Sequence, residues 1–96
     1  MKHILDYVGE DVNIERGAKC VYSVSIGDRS SIGINCEING KTTIGNDVWI
    51  GRRAMIMPGT KIGNGVVIGA GACVAKNIPN YAIAVGCPVK IIGYRE

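Results

Sequence analysis

An aliphatic residue, once a cysteine, occupies every sixth position from Val8 to Val74: Val8, Ile14, Cys20, Ile26, Ile32, Ile38, Ile44, Ile50, Ile56, Ile62, Ile68 and Val74. From Ile14 onward, two places before each stands a small or β-branched residue, among them Ala18, Val24, Ser30, Cys36, Thr42, Val48 and Ala72, and glycine most often follows the repeated aliphatic. A period of six matches neither the helical 3.6 nor the alternation of a lone strand. It does match a three-sided solenoid with one short strand per side. Three hexads close a turn of 18 residues, which stacks Ile26, Ile44 and Ile62 in one inward column. Ile32, Ile50 and Ile68 form a second column, and Ile38, Ile56 and Val74 a third. Residues 8–79 make about four turns, a prism roughly 19 Å tall at about 4.8 Å per rung.

The glycines at 27, 33, 45, 51, 63 and 69 follow the inward aliphatic directly. There the chain turns a corner, and a Cβ would either clash or forbid a positive φ. A stack of this kind exposes strand edges at both ends, and these need covering. Two segments are available within what reads as a single all-β domain over 1–96. Residues 1–7 are a short apolar lead suited to an N-terminal cap, and residues 80–96 form a C-terminal arm that breaks the period after Pro79 and turns at Gly86-Cys87-Pro88.

Composition agrees with a slim interior: 47% of residues are hydrophobic, yet there is no Phe. A chain of this length typically buries only about 60 to 65% of its unfolded surface, so association with partners would help it. The net charge of +3 is spread over scattered loop positions, without the dense basic face interleaved with aromatics that nucleic-acid binding needs. No run of eighteen apolar residues and no secretory leader are present, so a cytoplasmic protein away from the membrane is expected. The four cysteines lack CxxC spacing and the chain has one histidine, a poor set for a metal site. Cys20 and Cys36 take inward positions as small hydrophobes, and all four thiols are expected to be free.

From Thr43 to Ile92 the chain reads TIGNDVWIGRRAMIMPGTKIGNGVVIGAGACVAKNIPNYAIAVGCPVKII. The ordered series N-D-V-W-I-G, P-G, V-I-G-A-G, K-x-I-P and G-x-P-x-K-I-I resembles the hexapeptide-repeat acetyltransferases, in particular their sugar and xenobiotic O-acetyltransferase branch. The resemblance implies a left-handed parallel β-helix, an exception to the right-handed crossover rule, assembled as a homotrimer with acetyl-CoA in grooves between protomers. It places Trp49 at the acetyl end, the backbone at Arg52 and Ala70 along the pantetheine arm, Ala75 and Lys76 further along, and Lys90 near the phosphates. Two positions depart from the family: Gly93 stands where a basic residue is common, and Ala75 where threonine is frequent. Independently of the family, the corner Gly69-Ala70-Gly71 lets backbone amides approach an extended ligand closely.

Acetyl transfer to a hydroxyl needs a group to take the hydroxyl proton. In the family this is a histidine beside a protruding loop that also shapes the acceptor pocket. Here the hexads run from Ile26 to Ile44 without an insertion, and neither the loop nor that histidine is present. Glu37 is the one proton acceptor in the corners just upstream, and His3, before the first turn, is the only imidazole. The sequence therefore reads as an acetyl-CoA-dependent O-acetyltransferase of a sugar or similar small hydroxyl acceptor with impaired catalysis. The alternative is a catalytically inactive trimeric scaffold that retains CoA binding. One histidine does not make the three-histidine zinc site of a γ-type carbonic anhydrase.

Overall fold

The structure is a computed structural model that describes residues 5–20 and 23–95. Its strands follow the hexads. They are β1 (Leu5–Val8), β2 (Asn13–Ile14), β3 (Lys19–Cys20), β4 (Val24–Ile26), β5 (Ser31–Ile32), β6 (Glu37–Ile38) and β7 (Thr43–Ile44). The second half continues with β8 (Trp49–Ile50), β9 (Met55–Ile56), β10 (Lys61–Ile62), β11 (Val67–Ile68), β12 (Cys73–Val74), β13 (Ala82–Val85) and β14 (Lys90–Tyr94). Every third strand pairs in parallel. The first face is β1-β4-β7-β10, the second β2-β5-β8-β11-β13-β14 and the third β3-β6-β9-β12. This is the three-sided solenoid that the hexads predict, and the left-handed parallel β-helix that the family resemblance implies. Among the described residues no helix is long and apolar enough to cross a membrane.

All three predicted columns are buried, none of their members more than 3% exposed. The residue two places earlier also turns inward: Val24, Ser30, Cys36, Thr42, Val48, Ala54, Thr60, Val66 and Ala72 are all buried. The buried hydroxyls are satisfied by the rungs themselves. Ser30 Oγ donates to the Gly45 carbonyl at 2.8 Å and Thr60 Oγ1 to that of Met57 at 2.7 Å. The inward register loosens only in the first turn, where Val8 and Ile14 are 41% and 40% exposed.

The two reasons for corner glycine separate in the structure. Glycines directly after the inward aliphatic have ordinary φ and are needed for close approach. A Cβ on Gly33 would lie 2.7 Å from the Arg52 nitrogen, and one on Gly51 would lie 2.6 Å from the nitrogen of Ala70. The left-handed residue comes two places later, at Asp11, Arg29, Asn35, Lys41, Asp47 and Arg53, with φ of 57 to 60°. Gly17, Gly59, Gly65 and Gly71 take the same place in other corners. An arginine or lysine there costs about 1 kcal/mol, which the surrounding rungs enforce.

A side-chain ladder runs up the corner between the first and second faces. The backbone N–H of Glu10 donates to Asp28 Oδ1, that of Asp28 to Asn46, that of Asn46 to Asn64 and that of Asn64 to Asn80, at 2.7 to 2.9 Å. The last step spans 16 residues and not 18. The solenoid thus continues past the last hexad on a shortened turn: Ile78 bridges Ile62, and β13 adds a parallel rung above β11. Only then does the chain reverse, with β14 antiparallel to β13.

Four free thiols are not what the structure contains. Cys20 and Cys36 are free and buried, but Cys73 and Cys87 form a disulfide with their Cα atoms 4.7 Å apart. Cys73 points outward from β12, and the turn after Gly86 folds onto that rung. The Cys73 N–H donates to the Gly86 carbonyl at 3.0 Å, and the Val89 N–H donates to the Cys73 carbonyl at 3.1 Å. Those backbone bonds bring the second cysteine over the first.

Two expectations follow. Gly51→Ala forces the Arg52 and Ala70 corners apart and lowers stability by about 1 to 3 kcal/mol, read as a fall in the urea midpoint. Reducing the disulfide, or replacing Cys87 by serine, releases a loop with a sequence separation of 14 and removes up to about 3 kcal/mol. An unfolding midpoint that does not change with added reductant would contradict this.

Candidate functional site

Trp49 is the outward residue of β8, on the second face, and is 51% exposed. Its register neighbours are Ser31 below and Val67 above. Since strand residues alternate faces, a ring placed between the buried Val48 and Ile50 has nowhere to go but outward. The corner beyond it carries the tight glycine column Gly33, Gly51, Gly69. That column leaves a concave strip of backbone in which a groove of about 510 Å³ opens. Trp49, Arg52 and Ala70 line it together, with Asn13, Glu15, Ser31 and Ile34 below them.

Lys90 continues the same column. Val85 covers the Gly69 position, its Cγ1 lying 2.8 Å from where a Cβ on that glycine would be, and Lys90 pairs with Val85 at the start of β14. By rung count, its backbone is about 10 Å above Gly69. Ala75 and Lys76 are exposed but lie past β12, at the corner between the third and first faces. The width of the third face separates them from Arg52 and Ala70.

Of the two proton-acceptor candidates the structure describes Glu37, and it does not join Trp49. Glu37 projects from β6 on the third face, between its register neighbours Lys19 and Met55, and it does not line the groove. His3 lies outside the described residues. The buried thiols offer no nucleophile: burial raises the pKa of both Cys20 and Cys36, and Cys36 Sγ donates to the Gly51 carbonyl at 2.9 Å.

A second hollow, about 660 Å³, opens on the other flank of Trp49 between Ser31, Asp47, Val67, Tyr81 and two arginines, Arg29 and Arg95. Arg95 Nη1 donates to the Gly65 carbonyl at 2.9 Å. Arg29 Nε and Nη2 donate to the two Asp47 oxygens at 2.8 and 3.1 Å. The Arg29 guanidinium holds the Asp47 carboxyl below its ordinary range, and Asp47 in turn raises the arginine's pKa.

Sequence reasoning missed Asn13, Glu15 and Ser31. The signal was the 18-residue spacing itself, which sets Ser31 under Trp49, Asn13 under Ser31, and Glu15 in the column of Gly33 and Gly51. Asn13 Nδ2 donates to Glu15 Oε2 at 2.6 Å.

Residues 41–76 match the model of the bacterial transferase hexapeptide family, six repeats. A serine acetyltransferase of Buchnera aphidicola (subsp. Acyrthosiphon pisum) is 39% identical over 85 residues, which are 88% of this chain and 30% of that protein. A chloramphenicol acetyltransferase of Escherichia coli is 59% identical over 56 residues, 58% of this chain and 27% of that one. The chain thus spans under a third of either relative's length. Among solved structures, a galactoside acetyltransferase in complex with coenzyme A superposes with a TM-score of 0.77 at 31% identity, covering 96% of this chain and 66% of the other. The chain belongs to the hexapeptide-repeat acetyltransferase family.

The Arg29–Asp47 pair generates a pH prediction. A carboxyl whose folded pKa is lowered contributes stability above its unfolded value, near about 3.9, and loses it as pH falls through the folded value. Both side chains are more than half exposed, so the contribution is small. Asp47→Asn is expected to lower the neutral-pH melting temperature slightly and to remove part of the decline below about pH 4. Melts of both proteins across that range check it, and parallel acid limbs would refute it.

Proposed function

We propose that this chain binds acetyl-CoA along the corner between the second and third faces and transfers the acetyl group to a hydroxyl of a small acceptor such as a sugar. Turnover is slow because the family's histidine and acceptor loop are missing. The observation that carries this reading is the gathering of Trp49, Arg52 and Ala70 around one groove, with Lys90 higher on the same column. A strip of glycine and alanine backbone suits an amide-bearing pantetheine chain, and a lysine at one end suits its phosphates. Trp49 packs against the acetyl thioester. The coenzyme A complex of the galactoside acetyltransferase supports the choice of ligand.

Ala75 and Lys76 reach the cofactor only from the far edge of the third face. A homotrimer supplies them, because a neighbouring protomer brings that edge of its own prism to the groove. The exposed apolar side chains Trp49, Met55, Tyr81 and Ile92 favour such association. The chain would act in the cytoplasm, where acetyl-CoA is available. The second reading is an inactive scaffold that retains CoA, and the uninterrupted rungs from Ile26 to Ile44 favour it.

Calorimetry with acetyl-CoA and CoA, followed by thiol-release assays against a panel of sugars, divides the two. Trp49 is the only tryptophan, so its fluorescence reports occupancy directly. Acetyl-CoA is expected to quench it, and Trp49→Ala is expected to weaken binding about tenfold, about 1.4 kcal/mol. Absence of binding by either nucleotide, or a monomer in sedimentation at micromolar concentration, would overturn the proposal. Binding without turnover would leave the scaffold.

A further inference from the structure

We infer that Glu15, held by Asn13, is the proton acceptor of this groove, which gives the proposed transfer a base other than histidine. The inference rests on the acetyl-transfer reading above and names a residue that the family pattern does not supply. Glu15 is the carboxylate lining the groove of Trp49, Arg52 and Ala70.

The other acids near Trp49 are committed or misplaced. Asp47 has both oxygens bound by Arg29, and an arginine-paired carboxylate is a weakened base. Asp28 accepts the Glu10 N–H in the corner ladder. Glu37 faces away on the third side.

The geometry leaves room for chemistry. Glu15 follows Ile14, Gly33 follows Ile32 one rung up, and Gly51 follows Ile50 above that, so Glu15 starts about 10 Å, two rungs, below the level of Trp49. The intervening position is glycine, and no side chain from that column separates the carboxylate from the indole. Ser31 lies on the neighbouring column between Asn13 and Trp49. The groove that Glu15 and Trp49 both line, about 510 Å³, has room for a hydroxyl and the carbonyl it attacks.

Asn13 Nδ2 donates to Oε2 at 2.6 Å, and Oε1 has no hydrogen-bond partner among the described residues. One oxygen is therefore anchored and the other free. This is the arrangement of an activated nucleophile's base oriented by a third group. In the transfer, Oε1 takes the acceptor hydroxyl proton as the oxygen adds to the thioester carbonyl. The tetrahedral intermediate then collapses with cleavage of the carbon–sulfur bond, and the proton passes from Glu15 to the departing CoA thiolate. The products are the acetyl ester and CoA thiol, and the carboxylate is regenerated.

The test measures CoA-thiol release from acetyl-CoA by the full chain, with water and with a panel of sugars as acceptors, beside acetyl-CoA affinity read from Trp49 fluorescence. Glu15→Gln keeps the shape and is expected to lower kcat about 100-fold or more with affinity changed less than twofold. Glu15→Asp, which keeps a carboxylate one carbon shorter, is expected to retain more activity than Glu15→Gln. Asn13→Ala is expected to lose about tenfold through the orientation of Glu15. Full activity in Glu15→Gln overturns the inference. So does a parallel loss of affinity, or turnover abolished by His3→Ala. A wild-type chain that binds acetyl-CoA and never releases thiol overturns the inference alone and leaves donor binding intact. A wild-type chain that does not bind acetyl-CoA overturns the underlying reading as well.

Discussion

The molecule depends on how closely its turns approach at the corners. At Gly33 and Gly51 the backbone of one turn comes so near the next that a single Cβ would meet main-chain atoms at 2.6 to 2.8 Å. That spacing lets the rungs share parallel hydrogen bonds and keeps the three aliphatic columns in contact. It also leaves a strip of the outer corner without side chains, and this strip is the floor of the groove. The constraint that packs the turns thus creates the groove, and a substitution along it acts on stability and on the shape of the groove together.

The site adds little to that frame. Trp49 projects because its neighbours in the strand must point inward, and Arg52 and Ala70 meet it because they lie at the same corner one turn apart. Polar groups line the groove from the lower rungs through Asn13, Glu15 and Ser31. On the opposite flank, Asp47 is bound by Arg29 and Arg95 by the Gly65 carbonyl, so that side is already engaged with itself.

Much of this was legible in the hexads. The columns, the three faces and the outward tryptophan follow from counting by six and by eighteen, and its grouping with Arg52 and Ala70 is what the family resemblance implies. The disulfide and the extra rung escaped because they depart from that count. The disulfide joins a regular rung to an irregular turn, and nothing in the spacing of Cys73 and Cys87 shows that Gly86 and Val89 hydrogen-bond to the same rung. The extra rung β13 escaped because the turn before it is two residues short. Glu37 looked suitable by its position in the chain, but its strand faces another side. Glu15 was hidden because its neighbours in space are 18 and 36 residues away.

The corner ladder of Asp28, Asn46, Asn64 and Asn80 uses only a carbonyl-type oxygen from each side chain, so aspartate can serve at a rung, as it does at the bottom. A full column of aspartates could not. Carboxylates stacked at rung spacing would repel by roughly 1 to 3 kcal/mol per adjacent pair at effective dielectrics between those of bulk water and a protein surface. The amide supplies the same acceptor without the charge. An edge that repeats along a prism can therefore carry asparagine at successive levels, with an acid left at the end of the row, where it has one such neighbour and open water.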